Sequence, residues 1–69
     1  MLNVHDDAIE TVVELLPGLE SPTVLPLARS GMHAVHAVVD RRQVVELLGP
    51  LRSAGASSIL VLPIENLVP

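Results

Sequence analysis

The chain has 69 residues, is 49% apolar and carries a net charge of -4, with four Arg, no Lys, no Cys and no Phe, Tyr or Trp. Lack of cysteine excludes disulfides and thiolate metal sites, while an acidic balance without aromatic stacking platforms argues against nucleic acid. One domain, residues 1–69, is the most this length supports, and a domain so small buries only about 60% of its unfolded surface, so oligomerisation or attachment to a larger body is expected to add stability.

In chain order, Met1–His5 reads as a first extended segment. A helix follows: Asp7 and Glu10 have capping-box spacing, and Ile9, Val12, Val13 and Leu16 recur at i, i+3, i+4 and i+7. Pro17-Gly18 ends it. Pro22–Ala28 and Met32–Val39 are the second and third extended segments, close enough across Ser30-Gly31 to form a hairpin. Asp40 with Gln43 opens a second helix whose buried stripe is Val44, Leu47, Leu48 and Leu51, closing at Ala54-Gly55. Pro50 falls inside it, where a lost hydrogen bond costs about 3 kcal/mol, so a kink or break is expected there. Ser57–Ile64 reads as a fourth strand. Its apolar run, Ile59–Ile64, is far short of the about 20 residues of a membrane span, and the N-terminus lacks signal-peptide features. The expectation is a cytoplasmic chain without a membrane partner.

The order βαββαβ predicts an α+β, ferredoxin-like fold: a four-stranded antiparallel sheet, spatial order 4-1-3-2, with two helices on one face. The prolines test it. Alternate residues of a strand direct their N–H groups to the same neighbour, and Pro22 and Pro26 share a parity. Both missing donors then lie on one edge, which makes the second strand an edge strand. Pro63 fits the other edge, the fourth strand.

Several groups invite a functional reading. Ser21 and Thr23, on one side of an extended Pro17–Thr23 segment, offer hydroxyls to an amino-acid carboxylate or ammonium. The alternative is a rigid connection with hydroxyls satisfied locally. His33 and His36, three apart on a strand, point to opposite faces and fit structural or interface roles better than one metal. Asp6 and Asp7 beside His5 suit a helix N-terminus. Arg41-Arg42 reads as a solvated pair or an intersubunit salt bridge rather than a phosphate clamp. No phosphate loop, G-x-S-x-G or cysteine nucleophile is present, so no catalytic residue and no metal ligand is assigned.

The segment Pro17-Gly18-Leu19-Glu20-Ser21-Pro22-Thr23-Val24-Leu25-Pro26-Leu27 resembles a signature in the C-terminal domain of long-form ATP phosphoribosyltransferases. The resemblance continues through Ala34–Val39, Gly55–Val61 and Pro63-Ile64-Glu65, includes Asn3-Val4, and keeps its order over almost the whole chain. It implies an ACT-like regulatory domain that binds L-histidine between neighbouring subunits as a feedback inhibitor and supports a hexameric assembly. The enzymes concerned join ATP to phosphoribosyl pyrophosphate, the first step of histidine biosynthesis, using Mg²⁺ in catalytic domains that are separate from this one. Carried over by position, the implied histidine contacts are Thr23, Ser21, Leu19, Asn3, Val38 and Ser58. Relatives often carry an acidic group where Asn3 stands, and Trp-Val where Met32-His33 stands.

The partners so implied are L-histidine, the catalytic domains of a parent enzyme, and further copies of the chain meeting through sheet edges or faces. Two other classes compete: an assembly module without histidine sensing, and a free-standing ACT-like sensor of another small molecule. Ligand-free oligomerisation would mark the first. Binding without preference for histidine would mark the second.

Overall fold

A computed structural model describes residues 1–17 and 22–68. Strand β1 (Leu2–His5) runs through one 3-10 turn (Asp6–Ala8) into helix α1 (Ile9–Leu15); β2 (Thr23–Pro26), β3 (Met32–His36) and helix α2 (Arg41–Ser53) follow. The strands make one antiparallel sheet in the order β1-β3-β2. The class is α+β, as expected.

Register decides what each face carries. Leu2 and Val4 of β1 stand opposite Val35 and His33 of β3, while Thr23, Val24, Leu25 and Pro26 of β2 stand opposite His36, Val35, Ala34 and His33. Side chains alternate across a strand, so Leu2, Val4 and Val35 share one face. Val12 of α1 and Leu51 of α2 join them, with Ala56, in a single buried cluster. Both helices therefore cover that face. Asn3, Ala34, Leu25, His36 and Thr23 project from the other one.

Leu27 N–H donates to the Met32 carbonyl at 2.9 Å. By alternation the N–H groups of Thr23 and Leu25 also turn towards β3, and the nitrogens of Pro22 and Pro26 turn outward. The sequence expectation holds: β2 is an edge, and its missing donors lie on the outer side.

The fourth strand is a correction, because among the described residues the sheet has three strands. The predicted segment does lie where a fourth strand would, on the free edge of β1. Asn3 and Ser57 exchange two backbone hydrogen bonds of 2.8 Å, and Met1 and Leu60 exchange two more, of 2.9 and 2.7 Å. Between these pairs two residues, Ser58 and Ile59, oppose the single residue Leu2. This is a β-bulge, and Ser58 takes φ 50° to make it. The extra residue re-phases the chain, so Ile59 rather than Ser58 packs against the core. With Leu60 opposite Met1, the residues beyond it have no β1 backbone facing them. The ladder stops there.

The helices depart from expectation in detail. No side chain caps the start of α1, so the Asp7–Glu10 box does not form. Its inner face is Val12 with Ile9, Leu15 and Leu16, not Val13. Asp6 instead ties the 3-10 turn to the sheet: its N–H donates to the Gly31 carbonyl at 3.0 Å, and its Oδ1 lies 2.6 Å from His33 Nδ1. That histidine nitrogen is buried with no other partner. In α2, Asp40 is the N-cap and its carboxylate accepts from Arg42 N–H at 2.9 Å. Of the kink or break expected at Pro50, the break does not occur, and the helix runs on through it. Gly49 helps, since it has no Cβ for the proline ring to meet, and Pro50 falls in the last turn, where only the Glu46 carbonyl loses a helical donor.

The end of α2 is a Schellman motif. Ala56 N–H reaches the Leu51 carbonyl at 2.9 Å, and Gly55 N–H reaches that of Arg52 at 3.1 Å. Gly55 has φ +109°, and a Cβ there would lie 3.3 Å from Ala8 Cβ. Gly55→Ala is thus expected to lower unfolding free energy by about 1–2 kcal/mol, measured as a lower urea midpoint at 222 nm.

The Arg42 guanidinium, at 3.2 and 3.0 Å from the two Asp40 carboxylate oxygens, is the main reason that Asp40 is held below the usual carboxylate range; the Arg42 backbone N–H adds to it. A lowered folded value means that the stabilisation is present above the unfolded carboxyl's about 3.9 and is lost as pH falls through the lowered value. Melting curves of Asp40→Asn are expected to fall less steeply below about pH 4 than those of the native chain. Equal slopes would assign the acid sensitivity elsewhere.

Candidate functional site

The positions implied for an amino-acid ligand fall on the described residues at Asn3, Thr23, Val38 and Ser58; Leu19 and Ser21 lie outside them. Thr23 opens β2, exposed, opposite His36. Asn3 sits on β1 opposite Ala34, with its backbone bonded to Ser57. Ser58 is the exposed residue of the bulge beside it, and Val38 follows two residues after the end of β3. These four gather towards one end of the sheet, where β1 and β2 begin and β3 finishes.

They do not converge within one chain. β3 separates Asn3 from Thr23, and ordinary sheet spacings put their Cα atoms about 12 Å apart. Ser58 lies one strand position further out, so the candidates span the full width of the sheet. A single free amino acid cannot touch both edges. What this end can offer is two half-sites: the Thr23 hydroxyl on one edge, and on the other the Asn3 amide with the backbone and hydroxyl of Ser57 and Ser58. The Ser57 hydroxyl lies 3.5 Å from the Asn3 carbonyl oxygen, too loosely held to be committed there.

An apolar concavity lies elsewhere. A groove of about 570 Å³ runs on the helix side between α2, the residues after β3 and the C-terminal segment. Leu47 and Leu48 form one wall, Val61 and Ile64 another, and Val38 and Val39 an end. Apart from Arg41, every described lining residue is apolar. A zwitterionic amino acid would lose its hydration there with one cation in return. Among the described candidate contacts, Val38 alone reaches this groove.

Sequence reading missed the Asp6–His33 contact. The signal was present only jointly: His33 follows the hairpin turn and Asp6 follows the first strand, so antiparallel pairing brings the two positions together. Among the described residues no three His, Asp or Glu side chains gather as a metal set, and no described helix is long and apolar enough to cross a membrane.

Comparison with known proteins adds identity to this geometry. Residues 1–66 match the family described as HisG, C-terminal domain. ATP phosphoribosyltransferase of Cytophaga hutchinsonii is 56% identical over 68 residues, which cover 99% of this chain and 24% of that protein. The enzymes of the same name from Haloarcula marismortui and Phocaeicola vulgatus are 48% and 43% identical over the same shares. The chain thus spans about a quarter of the length of these relatives. A match running through both helices, all three strands and the bulged segment means that this chain belongs to the HisG C-terminal domain family.

Proposed function

We propose that this chain is the ferredoxin-like, ACT-like regulatory domain of an ATP phosphoribosyltransferase, and that it binds L-histidine as a feedback inhibitor between two copies of itself. The observation that carries the reading is the division of the candidate contacts. Thr23 and the Asn3–Ser58 pair lie on opposite edges at one end of the sheet, an arrangement suited to completion by a neighbour. Histidine would lie across the junction, with its carboxylate on hydroxyl and backbone donors and its ammonium near Asn3. Catalysis, and the Mg²⁺ that serves it, belong to the other domains of the enzyme.

A ligand held by two copies binds only when they are placed correctly, and so favours the assembly state in which they are. That is sufficient for inhibition at a distance, with no bond chemistry from this domain. An assembly role without sensing has support of its own. Leu62 and Val68 are 61% and 93% exposed, more apolar surface than a free-standing chain needs. Ligand titration separates the two.

L-Histidine, and not D-histidine or L-alanine, is expected to raise the melting temperature of the chain or of the enzyme containing it, since a ligand of the folded form stabilises it. Thr23→Ala should weaken binding about fivefold, the worth of one hydrogen bond. Asn3→Asp should tighten it about tenfold by giving the ammonium a charged acceptor. Calorimetric titration reads both. An intact enzyme whose activity ignores histidine would sink the proposal.

A further inference from the structure

We infer that the groove on the helix side is filled by residues 61–68 of a second copy, in a reciprocal exchange that joins two chains about a two-fold axis. The inference rests on the assembly role proposed above and names the surface that performs it. Three observations lead to it.

The first is area. The chain exposes 5224 Å², roughly 1,000 Å² more than the about 4,200 Å² expected of a folded monomer of its mass. A stable interface takes about 800 Å² from each partner. The surplus is the right size for one such contact.

The second is shape. Val61, Leu62 and Ile64 are each more than half exposed, and Leu67 and Val68 continue the apolar run. The same segment forms one wall of the groove and leaves about 570 Å³ beside it open. A protruding apolar strip and an apolar furrow side by side on one surface make that surface complementary to itself. That property is what a two-fold contact requires. The β2 edge is a poor alternative: with Pro22 and Pro26 facing outward, Val24 is the only N–H donor it presents between them.

The third is charge. Arg41 is the one charged residue lining the groove, and Glu65 is the one charged side chain of the strip. Both are exposed, and neither has an ionic partner of its own among the described residues. Exchange between two copies supplies two Arg41–Glu65 pairs, one at each groove.

The test uses the 69-residue chain and sedimentation equilibrium. The native chain should form dimers. Arg41→Glu and Glu65→Arg, each alone, should weaken dimerisation about tenfold, since two exposed pairs become repulsive together. An equimolar mixture of the two variants should recover native affinity, because both grooves of the mixed dimer regain opposite charges. A chain ended after Leu60 keeps the Met1–Leu60 hydrogen bonds and should be monomeric with its far-UV spectrum retained. Leu48→Arg should have the same effect from the groove side. A mixture no tighter than either variant alone overturns the exchange. Dimers indifferent to every one of these changes also overturn it and leave the assembly role standing on another surface. A native chain that stays monomeric overturns both for this chain and leaves the groove to the rest of the enzyme.

Discussion

Everything in this fold hangs on one small aliphatic contact: Leu2, Val4 and Val35, side by side on β1 and β3, pressed against Val12 and Leu51. With no aromatic ring in the sequence, no single side chain can dominate that core, and each aliphatic one contributes about 1.5–3 kcal/mol when fully buried. The margin is thin. That explains the care taken at its borders, where Asp40 caps α2, Gly55 turns the chain sharply after it, and a serine accepts a left-handed conformation so that Ile59 can face inward. It also explains why a domain of this kind is found as part of something larger.

Much of this was legible in the sequence, for identifiable reasons. The spacing of Pro22 and Pro26 placed β2 at an edge because a missing donor is a local fact with a global meaning. Asp40 and Ala54-Gly55 marked the ends of α2 because capping is a matter of a few adjacent atoms. The errors arose where a residue had two possible partners. Asp7 has the spacing of a cap, yet Asp6 is the residue that ties the 3-10 turn to Gly31 and His33, which lie far along the chain. The apolar run after Ser57 has the pattern of a regular strand, because nothing in Ser57-Ser58 announces that the pairing there takes an extra residue. Of the site, the identity of the contacts came from resemblance, and their separation across the sheet could be read only once the register was known.

The molecule keeps two kinds of surface apart. The polar candidates lie at one end of the sheet, small and hydrogen-bonding. The helix side carries the apolar furrow and strip, which suit a contact that persists. The short stretch from Ser57 to Leu60 lies between them, with Ser58 in the bulge and Ile59 and Leu60 lining the furrow.

The outward prolines of β2 have a consequence for growth. A sheet with two receptive edges can add copies indefinitely, as fibres do, and this chain is apolar enough to be at risk of it. Here one edge is occupied by the chain's own C-terminal segment and the other is starved of donors by Pro22 and Pro26. Backbone pairing with a further strand is therefore poorly supported at the β2 edge, and a contact made there has to rest on side chains.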